Sequence, residues 1–420
     1  MTAPEDPSGI DPALLRGLTQ ARISRRDALA AFGAAGAGAL LAGCGIGKQG
    51  RAADTSHDAV ASYWSEAKQT DTLRWANWPL YLDTAGKQGH PSLDLFHKQT
   101  GIDVVYSEAI QSYSEWFAKA HTPISSGQYS GYDVGMVDNS LYFWRFRDLG
   151  MILPLDQSRL ANFRKYAGHN FQHESFDPGN VFTVPWQAGF TGIGYNPTYT
   201  GRAITSWADL QDPRFKGKIG MFNSNEELPN AALLAIGVDP ATSTRAGWKR
   251  AAAWLDRQKP LVRSYYGQNY IQALANGDIW VSMAWSGDIF QQNLSGTDLK
   301  FVIPEEGGTL WSDNFAILKY CRNPIGAMKL MDFYYQPEIA AMVTEYVNYV
   351  TPVPTARPVI MADARKARKA SDRDYLHAVA SSFATFPSSE VYGNVKYLWT
   401  PRPGPDLDTW NATFEKIYQS

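Results

Sequence analysis

The chain lacks most of what would let it cross-link, span a membrane or cut a bond. It has two cysteines in 420 residues, Cys44 and Cys321. Cys44 is committed to another role described next, so no internal disulfide and no thiolate metal site can form. There is no Lys/Arg-rich block, and 39 basic against 41 acidic residues leave a formal charge of -2, so nucleic acid is not an expected partner. Seven histidines are scattered, and His90, His97, His169 and His173 sit in polar stretches without metal-ligand spacing. H-E-x-x-H, P-loop and G-x-S-x-G patterns are missing. Glu226 and Glu227 are adjacent, so on a helix or a strand they point apart and do not by themselves make a general acid/base pair. No cofactor, metal or catalytic activity is expected.

What is present begins near the N-terminus. Arg25 and Arg26 stand in S-R-R-D-A-L, an apolar run follows from Ala28 to Gly43, and L-A-G-C ends at Cys44. The order of charged region, apolar region and small-residue cleavage site reads as a twin-arginine export signal over residues 1–44, with Cys44 as the lipid-attachment site. The run is too short and too rich in Ala and Gly for a comfortable membrane span, and nothing downstream is longer. A mature protein outside the cytoplasm, held to the membrane by a lipid, is expected, with residues 45–71 as a flexible or loosely helical tether. About 375 residues then remain. That exceeds what one core usually supports and suggests two domains.

Aromatic residues make up 13% of the chain and include 14 tryptophans. Most are expected in the core, where large rings bury the most area. Three groups instead stand in turn-like contexts close to carboxylates: N-W-P-L-Y from Asn77 to Tyr81, A-W-S-G-D from Ala284 to Asp288, and L-W-S-D from Leu310 to Asp313. Short apolar runs alternate with helical patterns, as an α/β fold requires. Strands are expected at 73–76, 102–107, 132–137, 181–184, 191–195, 280–284, 301–303 and 314–318. Helices are expected at 92–100, 113–124, 229–236, 244–258, 268–276, 324–336, 339–346 and 406–417. Trp207 to Gly220 reads as a short helix, a turn and a strand.

Five motifs in order carry a resemblance over most of the chain. They are N-W-P-L-Y, then T-S-W-A-D-L-x-x-P-x-F-K-G-K from Thr205 to Lys218, A-W-S-G-D, P-E-E-G-G-x-x-W-S-D from Pro304 to Asp313, and Y-V-T-P from Tyr349 to Pro352. Together they resemble the spermidine/putrescine-binding proteins of ABC importers. The resemblance implies a two-lobed α/β periplasmic-binding-protein fold, type II-like, whose lobes are joined by crossover segments and close on a ligand. On that basis lobe 1 is expected to comprise 72–182 plus 312–352, and lobe 2 to comprise 183–311 plus 353–420. The implied partners are a polyamine and the ABC permease subunits, with the binding protein itself a monomer.

The resemblance also implies a site in which rings stack on the methylene chain and carboxylates cap the ammonium groups. The matching aromatics are Trp78, Tyr81, Trp285, Trp311 and Tyr349, and the matching carboxylates are Glu227 and Asp313. Two departures stand out: Ser224 replaces an aspartate three residues before the glutamate, and Asp138, Asn139 and Ser140 replace a Ser-Thr-Tyr run. Asp138 is therefore added as a third candidate acid. Each residue also has a plain structural reading. Trp78 and Tyr81 could pack at a strand end, Asp313 could cap a turn, Glu227 could sit at a helix dipole, and Asp288 could be an N-cap. A choline- or betaine-like cation, a sugar and a glycoside-acting enzyme remain alternative readings. Clustered Tyr265 and Tyr266 are the one hint of an iron site.

Overall fold

The computed structural model describes residues 53–86, 89–172, 174–267 and 269–419. Arg25, Arg26, Cys44 and His173 lie outside the described residues. The stretch expected to be a flexible or loosely helical tether contains a helix. His57–Glu66 is a helix whose Trp64 is buried, and the indole Nε1 donates to the Pro154 carbonyl at 3.0 Å. The body therefore starts before Thr72, held by one large ring.

Among the described residues ten strands form one sheet: β1 (Thr72–Ala76), β2 (Asp103–Ser107), β3 (Val134–Val137), β4 (Thr183–Tyr195), β5 (Ile219–Phe222), β6 (Val262–Tyr266), β7 (Val281–Trp285), β8 (Lys300–Val302), β9 (Gly308–Ile317) and β10 (Val395–Tyr397). Their order is β2-β1-β3-β9-β4-β7-β5-β6, with β10 paired to β9 and β8 to β4. β1, β2 and β3 run parallel, as do β5, β6 and β7. The strands β3, β5 and β7 are mostly buried apolar runs, as parallel strands buried on both faces need, while β1 alternates, with Thr72 and Arg74 exposed.

β4 and β9 join the two groups. They pair antiparallel from Thr183↔Ala316 to Thr191↔Thr309, while the far end of β9 pairs with β3 and the far end of β4 with β7 and β8. Each long strand thus belongs to both lobes. The sequence pattern predicts two separate strands at 181–184 and 191–195. A single 13-residue strand forms instead, because P-W-Q-A-G-F is buried throughout and shows no alternation. The irregularity between Pro185 and Gln187 absorbs the proline, which cannot donate to a ladder.

Two of the five motifs turn out to clasp each other. Ser206 and Asp209 form a capping box at the short helix Trp207–Gln211. Trp207 Nε1 donates to the Gly307 carbonyl at 2.9 Å, and its backbone N–H donates to Glu306 Oε2 at 3.2 Å. The C-terminal region divides differently from the expected grouping of 353–420 with lobe 2. Helices Ala356–Lys366 and Ala370–Ser381 pack with Pro337–Val347, which itself packs on Pro91–Thr100 beside β2. Tyr375 fixes this arrangement by donating to the Glu345 carbonyl at 2.8 Å. β10 and the helix Pro405–Tyr418 do return to the β5–β7 side, the helix lying on Arg245–Gln258.

Candidate ligand cleft

One face of the β4–β9 ribbon forms the floor of the cleft. Directly opposed residues in an antiparallel pair share a face, so Thr191 with Thr309, Gly189 with Trp311, and Gln187 with Asp313 make three successive rungs. Gly189 has a packing reason. A Cβ there would fall 2.3 Å from Trp311 Cζ2, so the indole lies flat against bare backbone. Gly287 does the same for Tyr349, whose ring carbon Cε1 would be 2.5 Å from an added Cβ. The rungs on the other face feed a small separate cluster of Ala188, Phe190 and Leu310.

The first-lobe wall starts at the loop after β1, where Trp78 meets Tyr113 edge-on at 5.1 Å and Tyr81 is buried beside Tyr349 at 6.0 Å. Tyr113 is the first residue of a helix capped by Ser112, and it stacks on Tyr142 at 5.5 Å. Its hydroxyl donates to Asp313 Oδ1. Burial, then the nearby Asp313 and Asp138 charges, push the Tyr113 pKa well above its ordinary value, so it stays a donor. On the second-lobe side Trp285 packs on Phe222 at 4.5 Å and donates from Nε1 to Glu227 Oε1 at 3.1 Å. Thr309 reaches the other oxygen of Glu227 at 3.5 Å. Burial raises the Glu227 pKa, and these donors partly offset the rise.

Asp288 is not an N-cap. It lies in the first turn of Ser286–Leu294, whose N-cap is Trp285, and its two oxygens accept from Tyr349 Oη at 2.6 Å and Tyr270 Oη at 3.1 Å. Ser224, just before the helix Glu227–Ala235, turns its hydroxyl to the backbone, accepting from the N–H groups of Glu226 at 3.3 Å and Glu227 at 3.1 Å. The departure at 224 therefore serves the backbone.

Asp138 and Glu226 meet across the cleft. Asp138 accepts from the Phe143 N–H at 2.9 Å and from the Ser140 hydroxyl at 2.9 Å, and Ser140 is also hydrogen-bonded to Glu226 Oε2. Burial raises the Asp138 pKa. Burial and the Asp138 charge together raise that of Glu226 well above the usual carboxylate range. One serine hydroxyl has a single proton for two carboxyl groups, so together with burial the shortage of donors favours the protonated form of the pair.

The structure thus brings together Trp78, Tyr81, Asp138, Trp285, Glu227, Trp311, Asp313 and Tyr349, and adds Tyr113, Tyr142, Glu226 and Tyr270. The added tyrosines sit on helices, where their spacing matches core packing, so the sequence offers no separate signal for them. Glu226 has one signal, its adjacency to Glu227 just before a helix. No ion pair among the described residues involves Asp138, Glu226, Glu227 or Asp288. Tyr265 and Tyr266 lie on β6, the last strand in the order, and no group of three or more His, Cys, Asp or Glu among the described residues could hold a metal.

A cleft floored by two crossover strands, walled by rings and lined by acids is built for a solute. Residues 93–370 match the family described as bacterial extracellular solute-binding protein. The chain belongs to that family. Among curated relatives, this solute-binding protein is 33% identical over 360 residues to the spermidine/putrescine-binding periplasmic protein of Salmonella typhimurium, covering 84% of this chain and 92% of that one. It is 31% identical over 362 residues to a putrescine-binding periplasmic protein of Pseudomonas aeruginosa, covering 82% and 89%. Among solved structures, a spermidine/putrescine ABC transporter substrate-binding protein from Streptococcus pneumoniae superposes with a TM-score of 0.69 at 23% identity, over 83% of this chain and 99% of that one. A lipoprotein of Treponema pallidum gives 0.66 at 20% identity, over 83% and 100%. The solved structures establish the two-lobed fold. No helix among the described residues is long and apolar enough to cross a membrane.

Proposed function

We propose that this solute-binding protein captures a polyamine, spermidine or putrescine, between its lobes and delivers it to the permease of an ABC importer. The observation that carries the reading is the alternation of rings and acids along one cleft: Trp78, Tyr113 and Asp313, then Trp311, Tyr349 and Asp288, then Trp285 and Glu227, with Asp138 and Glu226 alongside. A chain of methylenes with an ammonium at each end matches that spacing of apolar faces and negative charge. An ammonium over a ring gains roughly 0.5–2 kcal/mol. A charge-assisted hydrogen bond adds about 1.5–3 kcal/mol. A few of each, less the cost of ordering the ligand, support affinity of roughly micromolar or tighter. The names of the curated relatives point the same way.

The protein acts in this reading as a monomer without catalytic activity, outside the cytoplasm. It is exported by the Arg25–Arg26 signal and anchored through a lipid on Cys44. Lobe 1 comprises the β1–β3 side with the helices up to Ser381, and lobe 2 the β5–β7 side with Pro405–Tyr418. Calorimetric titration of the protein begun after Cys44 tests the ligand class. Saturable one-to-one binding of spermidine or putrescine, with none for choline, glycine betaine or a sugar, is the expected result. Heat with a sugar or betaine and silence with both amines would overturn the polyamine assignment while leaving the binding fold intact.

A further inference from the structure

Among the described residues the floor of the cleft has three buried polar atoms without a hydrogen-bond partner, Thr191 Oγ1, Trp311 Nε1 and Gln187 Oε1, and of these only the glutamine oxygen is purely an acceptor. Gln187 is 2% exposed, and its Oε1 accepts no hydrogen bond from any described residue. A buried acceptor without a donor costs about 1–3 kcal/mol, so a glutamine is a poor choice here unless something supplies that donor. Its location says what would. Gln187 stands directly opposite Asp313, two residues from Gly189, on the face where the Trp311 indole lies. Opposed side chains in such a pair start about 4.5–5.5 Å apart at Cβ. A cation sits roughly 2.8 Å from the carboxylate oxygen that binds it. A donor held by Asp313 is therefore within reach of the Gln187 carbonyl.

We infer that Gln187 and Asp313 together form a seat for an ammonium group that still carries N–H bonds, and that Gln187 sets the preference for primary and secondary amines over quaternary ones. The inference rests on the polyamine reading above and deepens it. Aromatic rings attract any organic cation, methylated or not, so Trp78, Trp311 and Tyr113 give no discrimination of this kind. The carboxylate of Asp313 likewise attracts any positive charge. The neutral carbonyl of Gln187 differs from both: an N–H satisfies it, and a trimethylammonium group leaves it buried and unpaired. Selection against a ligand lacking one required donor is the strong form of specificity.

The competing account is a structural water. A void of about 10 Å³, lined by Trp186, Gln187 and Thr351 among others, has room for about one water molecule. Two variants, Gln187→Met and Gln187→Glu, separate the accounts by titration with putrescine and with its N,N,N-trimethyl derivative, alongside thermal melting without ligand. Wild type is expected to prefer putrescine by roughly tenfold or more. Gln187→Met is expected to erase most of that preference, weaken putrescine binding, and melt no lower than wild type, because the orphan acceptor is gone. Gln187→Glu is expected to keep or widen the preference and serves if the methionine variant does not fold. Unchanged preference in Gln187→Met with a lowered melting point would assign the carbonyl to a structural water and overturn the inference. Unchanged preference in a stable variant, or a Gln187→Glu protein that loses the preference, would overturn it as well. A wild-type protein that binds neither amine would instead defeat the polyamine reading.

Discussion

Two pairs of acids line the same cleft and are held in opposite ways. Asp288 and Asp313 are met by tyrosine hydroxyls: Tyr349 and Tyr270 on the first, Tyr113 on the second. Asp138 and Glu226 share Ser140, and beyond burial the Asp138 charge raises the cost of ionising Glu226. Neutral hydroxyl donors thus answer Asp288 and Asp313. In the serine-bridged pair burial comes first and the Asp138 charge adds to it on Glu226, so the protonated form is favoured and a cation arriving there favours release of a proton. The contrast is between acids met by neutral donors alone and acids that also meet each other.

The sharpest way to break this contrast is Asp313→Asn. Removing a fixed charge from a desolvated pair is expected to weaken polyamine binding by roughly 2–5 kcal/mol, read by titration, with a melting curve near that of wild type. Next is Gly189→Ala. The new methyl would collide with Trp311, and overpacking of this kind costs about 1–3 kcal/mol. Weaker binding with loss of the ligand-induced change in tryptophan fluorescence is expected.

Glu226→Gln addresses the titrating pair. Folding raises the Glu226 pKa above 4.5, so the stability it contributes is complete below about pH 4.5 and is lost as pH rises through the higher folded value. The amide cannot ionise. The variant is therefore expected to melt higher than wild type near neutral pH, by roughly 1 kcal/mol or about 2 °C, and to show a flatter dependence of melting point on pH. An unchanged pH profile would mean that the pair carries no proton. The smallest effect belongs to Ser224→Ala, which removes a hydroxyl that accepts from two backbone N–H groups at the helix start and takes nothing from the cleft. A loss of about 0.5 kcal/mol in stability with unaltered affinity is expected, and a large loss of affinity would give Ser224 a ligand role that its hydrogen bonds do not suggest.

Much of the architecture was legible in the chain because short apolar runs and capped helices carry their own periodicity. β1, β3, β5 and the helices Pro91–Thr100, Tyr113–Ser125 and Arg245–Gln258 fall within a few residues of where the pattern puts them. β4 was not legible as one strand, since a proline, two buried rings and two glycines in succession hide the alternation that marks an antiparallel strand. The helices Ala356–Lys366 and Ala370–Ser381 were not read, and where they pack depends on contacts made by Tyr375 far along the chain. In the cleft, Trp311 and Asp313 stood out because an acid two residues from a tryptophan is unusual in a core. Tyr113, Tyr142 and Tyr270 did not, because nothing local separates a ring that faces a neighbour from one that faces a solute. Gln187 was invisible for a further reason: its significance lies in the missing partner, and only the register with Asp313 reveals that.

The irregular step between Pro185 and Gln187 has a mechanical meaning. β4 and β9 run through both lobes, so any relative motion of the lobes must bend or twist this two-stranded beam, and its ladder is interrupted at that step. That interruption lies directly under the acid-lined floor. A solute resting there would act as a splint across the beam, so occupancy would register as a change in stiffness as well as in shape.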